Sequence, residues 1–297
     1  MALGEDNNVE VLVAGELFAD LVMTGFDTLP QPGEEVFARA FRREPGGAAI
    51  TAMGLARLGR RSGLIGAVGA LDGAWLLDSF WRGGVDVSRV LTVPGEYTGT
   101  SVAISGEGER AFLTWPGANG HFMEVFRDSA LLTTHLHWSA PVDITSLRRS
   151  RGMGLSISLD VGYAAAGPHV LEALPLVDWF FPNENEAARI TGESVPEAML
   201  RAFSRAGAQG VVVKLGARGA AMLAGGEYLQ QAPPPVTAID TTGAGDCFDA
   251  GFLDTWLNGG SPAECLRVAN ICAAYSTQAL GGIAGFPRRD EIPWGGA

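Results

Sequence analysis

Short apolar runs alternate with amphipathic stretches along most of this chain. Residues 9–14 (VEVLVA) end at Gly15 and predict a buried first strand. Residues 21–24 and 36–43 predict two more short strands, separated by the turn-forming LPQPGEE. Pro45-Gly46-Gly47 then opens a small-residue helix, AAITAMGLARLG, which Gly59 stops. SGLIGAVG predicts another strand, and AWLLDSFWRGG an amphipathic helix ending at Gly83-Gly84. Over 99–115, TSVAI and RAFLTW flank the turn residues GEGE, which predicts a β-hairpin.

Beyond residue 130 the pattern becomes strand–helix repeats. HLHWSA, GLSISLDV, VDWFFPN and GVVVKLG are apolar runs with helical segments between most of them, so a parallel sheet covered on both faces is expected. QAPPPV reads as a loop or edge, and 243–280 as a long helical region broken at NGGSP. No repeat, low-complexity tract or linker interrupts the chain. The expectation is one α/β domain over 1–297 with a small β excursion near its N-terminus.

Composition narrows the function more than the fold. The 297 residues are 47% hydrophobic and 18% charged, an ordinary globular balance. No stretch of about 18 apolar residues lacks a charge or turn, so no membrane span is expected. MALGEDNN has no basic run of the kind that opens a secretory leader, so a cytoplasmic location is expected. Cys247, Cys265 and Cys272 fit no zinc spacing, and an odd count argues against a disulfide framework. The net charge of −12 argues against a nucleic-acid partner, which needs a basic footprint. Lys214 is the sole lysine among 21 basic residues.

The strongest chemical signal is IDTTGAGDCFDAGFL. Gly243 and Gly245 let backbone N–H groups approach a ligand closely, and the start of a helix adds positive partial charge. An anion would be held there, with the Asp246 carboxylate placed to take a proton from an attacking hydroxyl. On spacing alone, a helix terminus with a favourable first-turn acid fits equally well.

DTTGAGD followed by an apolar helix resembles the C-terminal signature of ribokinase-type (PfkB) carbohydrate kinases. Four further segments extend the resemblance in order: GELFADLV, PGGAAITAMGLARLG, FPNENEAARITG and VVVKLGARGA. It implies a ribokinase-like fold, with a central, mostly parallel sheet, helices on both faces and a small β-sheet lid from about 16–44 and 97–117. It implies transfer of the γ-phosphoryl of ATP to a hydroxyl, a primary one, of a small sugar or sugar derivative. Asp246 then matches the base, and the amides of Gly243, Ala244 and Gly245 the anion hole. Asn183 and Glu186 match a pair that organises Mg²⁺ and the phosphates, partly through water. Gly216 and Gly219 match the loop beneath ATP, Lys214 the end of the preceding strand, and Asn270 the nucleobase side. Asp240 and Thr242, with backbone from 279–285, match a monovalent-cation (K⁺) site found in part of the family. Asp20, Gly46 and Gly47 match the substrate side. A homodimer through the lid is common in the family.

The chain departs from that pattern where the Gly-Gly signature usually reaches an asparagine. Ile50 and Thr51 stand there instead, and Thr51 is the remaining polar candidate for the acceptor. Arg110, Asn119, His137, Ser139 and Asp160 are further polar candidates, while His135 and His137 read better as core residues. Arg110 reads better as a stabiliser of the lid hairpin. A nucleoside kinase of the same fold stays open, and would be favoured if Trp115 and Tyr163 both lined the pocket. A non-catalytic ligand-binding relative is the alternative outside enzymes. A dinucleotide-dependent dehydrogenase is disfavoured, because no G-x-G-x-x-G follows the first strand.

Overall fold

The computed structural model describes residues 9–26, 30–106 and 109–293, with the backbone alone over 105–106 and 109–111 and at 224. A nine-stranded sheet runs through the centre. Seven of its strands are parallel: β1 (Val11–Gly15), β4 (Ser62–Gly69), β5 (Asp86–Val93), β8 (His135–Ser139), β9 (Ser156–Asp160), β10 (Trp179–Phe180) and β11 (Gly210–Lys214). An antiparallel hairpin, β12 (Ala220–Ala224) and β13 (Glu227–Gln231), completes one edge, giving the order β13-β12-β11-β10-β9-β8-β1-β4-β5.

Side chains that alternate along the strands feed two separate cores, as expected of a sheet buried on both sides. Leu12 and Ala14 of β1 join the core beneath helices α3 (Phe122–Asp128), α4 (Ile144–Gly152), α6 (Glu184–Thr191) and α7 (Pro196–Arg205). Val11 and Val13 join the opposite core, under α1 (Ala48–Arg57), α2 (Ala74–Arg82), α8 (Ala244–Leu257) and α9 (Pro262–Ser276). The short α5 (Gly162–Ala165) follows β9. All three cysteines are buried and unpaired within the second core, so they serve packing.

A second sheet of four strands, β3-β2-β6-β7, stands beside the first: β2 (Leu17–Phe26), β3 (Ala40–Gly47), β6 (Gly99–Gly106) and β7 (Glu109–Trp115). β6 pairs with β7 as the predicted hairpin, although Glu107 and Gly108 of its expected turn lie outside the described residues. Three boundaries differ from the sequence reading. β2 is longer than residues 21–24, because it is the inner partner of both β3 and β6. Residues 36–39 are not strand, and Pro45-Gly46-Gly47 closes β3 instead of opening the helix, which begins at Ala48 with Gly47 as its cap at φ 66°. Neither β5 nor the β12–β13 hairpin is apparent in the sequence pattern. β5 carries only one buried residue, Val93, so its period is blurred.

Candidate active site

The carboxyl ends of the parallel strands converge on one cleft, as in other open α/β sheets. Glu16 follows β1, Ser139 ends β8, Asp160 ends β9, Asn183 follows β10 and Lys214 ends β11. All five line a cavity of about 510 Å³, together with Gly47, Gly216, Thr241, Ala244, Gly245 and Asp246. A second cavity of about 500 Å³ lies on the other side of the α8 start, lined by Gly219, Pro233–Val236, Phe248, Asn270 and Ala273. Lys214, Gly216, Thr241, Ala244 and Gly245 belong to both. The glycine-rich segment therefore stands at the junction of two compartments.

Local geometry explains that segment. Gly243 caps α8 at φ 68°, a left-handed conformation that side chains disfavour. A Cβ there would also lie 2.7 Å from Ile50 Cδ1 and 2.8 Å from Gly282 Cα. Ile50 is thus wedged under the turn, 2% exposed, and lines neither cavity. Asp240 holds the turn from below. Its Oδ1 accepts from Thr242 N (2.9 Å) and Thr242 Oγ1 (2.7 Å), and its Oδ2 accepts from Gly281 N (2.9 Å).

Asp246 sits in the first turn of α8. Burial, then the negative charge of Asp160, push its carboxyl up to about 7, with Lys214 acting in the opposite sense and Asp20 adding to the rise. Thr51, the polar candidate for the acceptor, is absent from the lining of both cavities. It is fully buried behind Asp246, with its Oγ1 3.3 Å from the Asp246 carbonyl and 3.4 Å from Oδ1. A helix-borne hydroxyl facing another helix is satisfied there without substrate.

Asn183 and Glu186 form a reciprocal capping box at the start of α6. Asn183 Oδ1 accepts from Glu186 N (2.9 Å), and Glu186 Oε2 accepts from Asn183 N (2.8 Å). Glu186 is 4% exposed, and burial together with Asp160 pushes its carboxyl up to about 7. Its Oε1 is left over by the capping box. Lys214 Nζ donates to Asp160 Oδ2 (2.8 Å) and Asp249 Oδ1 (3.2 Å). Burial alone would lower this ammonium, but the two carboxyls outweigh it and hold it well above its ordinary range. Asp249 was not anticipated. A lone acid inside the apolar CFDAGFL, one helical turn past Asp246, was the available signal.

Asp20 lies on β2 with its carboxylate against Gly46, where a Cβ would be 2.1 Å from Oδ1. It is 6% exposed, and burial, Asp240 and Glu44 push it up to about 7. Gly46→Ala should therefore displace Asp20, and on the expectation that Asp20 holds the acceptor it should raise acceptor KM about tenfold or more while nucleotide affinity holds. Paired acceptor and ATP titrations check this.

The other polar candidates separate. Ser139 and Asp160 line the cleft. Asn119 instead pins the Leu17 backbone, accepting from its N (2.9 Å) and donating to its O (3.0 Å). His135 and His137 are fully buried and bonded to Ser156 and Ser158, so they are core residues. The Arg110 side chain lies outside the described residues. Trp115 and Tyr163 line neither cavity. Trp115 sits on the sheet face opposite Asp20, and Tyr163 stacks under Arg189 at 4.6 Å. In the 500 Å³ cavity, Asn270 donates from Nδ2 to Gln231 O at 3.1 Å, which fixes its orientation.

A mostly parallel sheet with helices on both faces, a small sheet beside it and a glycine-rich helix start between two cavities define a ribokinase-like phosphotransferase. Similar proteins agree. A model described as pfkB family carbohydrate kinase matches residues 9–289. An uncharacterized sugar kinase of Archaeoglobus fulgidus is 33% identical over 80% of this chain and 99% of its own. An ATP-dependent ribose-1-phosphate kinase of Halopiger xanaduensis is 31% identical over 96% of this chain and 97% of its own. The structure of Arabidopsis thaliana ribokinase complexed with ribose and ATP superposes with a TM-score of 0.79 at 28% identity, covering 95% of this chain and 96% of that one. The chain belongs to the pfkB family of carbohydrate kinases.

Proposed function

We propose that this kinase moves the γ-phosphoryl of ATP from the 500 Å³ cavity to a hydroxyl in the 510 Å³ cavity, with Asp246 as base. The observation that carries the reading is that Ala244 and Gly245 line both compartments, with Asp246 beside them lining the 510 Å³ one. The amides of this turn hold the equatorial oxygens of the transferring group, and Asp246 accepts the proton as the acceptor oxygen attacks in line. A carboxyl near 7 is well matched to that task at neutral pH.

ATP lies over Gly216 and Gly219, with its base toward Asn270 and Phe248. The Arabidopsis ribokinase, which shares this fold, is complexed with ATP, and that supports a nucleotide here. Mg²⁺ fits the donors present. Glu186 offers one free carboxylate oxygen beside the 510 Å³ cavity that it lines, and no cluster of three metal-binding side chains occurs among the described residues. An ion that keeps its waters and shares ATP oxygens needs only such partial support. When bound, it would neutralise phosphate charge, with Asn183 orienting Glu186. For K⁺, Asp240 and Thr242 remain the place to look, although Asp240 already accepts three hydrogen bonds.

Asp20, Gly46 and Gly47 hold the sugar from the four-stranded sheet, which acts as the lid over residues 16–44 and 97–117 and excludes water from the reaction. The sheet's far face exposes Met23, Phe41, Leu113 and Trp115, which suits a homodimer through the lid. No described helix is long and apolar enough to cross a membrane, and a cytoplasmic location fits a consumer of ATP. Trp115 and Tyr163 lie away from the cleft, so a sugar is favoured over a nucleoside.

The reading is tested by ADP release from Mg·ATP against hexoses, pentoses, sugar derivatives and nucleosides. Acceptor-dependent release is expected, and ADP formed at the same rate with and without every acceptor counts against it. The acceptor kcat/KM should fall about tenfold per pH unit below about 7, because protonated Asp246 cannot act as base. A profile flat from pH 8 to 5.5 would remove Asp246 from that role.

A further inference from the structure

The acceptor cavity is charged in one sense. Glu16, Asp160, Glu186 and Asp246 line it, and Lys214 is the one cation among its described lining residues. That ammonium is already committed to Asp160 and Asp249. Glu186 and Asp246 face the transfer centre in the reading above. Glu16 has no such task.

Glu16 follows β1 and is half-buried, and no described residue donates a hydrogen bond or an opposite charge to its carboxylate. Burial raises its pKa, and no partner offsets that rise. Its side chain also lines a side pocket of about 240 Å³, walled by Phe122, Met123, Val142 and Asp143. The other polar side chains of that pocket have tasks of their own: the Asn119 amide holds Leu17, and Asp143 Oδ1 accepts from Ser146 N at 2.7 Å as the cap of α4. The Glu16 carboxylate is therefore the free polar group where the two cavities meet. Asp20, 6% exposed, likewise has no described hydrogen-bond partner. A desolvated carboxylate without a donor is unfavourable, and a ligand donor relieves that cost. A second anion beside it raises the cost instead.

Resting on the kinase reading, we propose that the acceptor is an uncharged or cationic sugar derivative. A hydroxyl or protonated amine on it donates to Glu16 at the mouth of the side pocket. Sugar acids and sugar phosphates are rejected by the same carboxylate.

The test uses the full chain with Mg²⁺ and ADP present. Three ligands of one skeleton are compared by calorimetry: a neutral sugar found to bind, its amino-sugar counterpart and its sugar-acid counterpart. Phosphoryl transfer to each from ATP is measured separately. The acid should bind at least about tenfold more weakly than the neutral form, equivalent to about 1.4 kcal/mol. Glu16→Gln should narrow that gap, and Glu16→Lys should reverse it. A stronger amine than neutral ligand in the wild type identifies the donor as an ammonium, and equality identifies a hydroxyl. An acid that binds as tightly as the neutral sugar overturns the proposal. So does a ranking unmoved by both Glu16 substitutions, or no binding by any sugar. Transfer without the charge ranking would sink this inference and leave the kinase reading standing, whereas the ranking without transfer would do the reverse.

Discussion

Asp246→Asn should reduce kcat by about two to three orders of magnitude while ATP affinity stays within a few-fold of wild type. Asparagine keeps the shape of the helix start and the glycine turn, so the phosphates keep their amides, but the acceptor proton has no acceptor of comparable basicity. The same substitution separates chemistry from folding. A carboxyl raised to about 7 in the folded chain contributes its stability below its unfolded value near 3.8, and that contribution is lost as pH rises through 7. The ligand-free Asp246→Asn protein should therefore melt at or above the wild-type temperature at pH 8, with no such gain near pH 4. Thermal melts at both pH values check this. A lower melting temperature at pH 8 would assign the lost turnover to damaged structure.

Lys214→Met should be the most destabilising single change in the site. The ammonium serves Asp160 and the fully buried Asp249, which burial and Asp160 already push well above the ordinary carboxyl range. Removing one partner of a buried ion cluster costs about 3–5 kcal/mol, because the remaining charges lose compensation. Denaturant titration should show that loss at neutral pH, and the Lys214→Met/Asp160→Asn double variant should recover part of it. A loss below about 1 kcal/mol would mean that the two carboxyls share a proton well enough to dispense with the cation.

Much of the site was legible in sequence because glycine and acid spacing report backbone chemistry directly. DTTGAGD marked the turn and the first-turn acid that follows it, and Asn183 with Glu186 marked a helix start that the structure shows as a capping box. The parallel strands other than β5 were legible because their runs are largely apolar on both faces. What escaped depends on contacts between distant segments. Asp249 acquires meaning only beside Lys214, 35 positions away. That the Thr51 hydroxyl lies against Asp246 is visible only once α1 is packed on α8. Ile50, which breaks the expected signature, proves to fill the space under Gly243 and Gly282. β5 escaped because one buried residue does not make a readable alternation.

The most direct measurement follows the phosphoryl group itself. Wild type and Asp246→Asn are each given γ-labelled ATP, Mg²⁺ and the acceptor found by the ADP panel, and label is traced to acceptor or to inorganic phosphate. The account predicts label on the acceptor in the wild type and at most about one hundredth of that rate in the variant. Label released only as inorganic phosphate, or transferred equally well by both proteins, would contradict it.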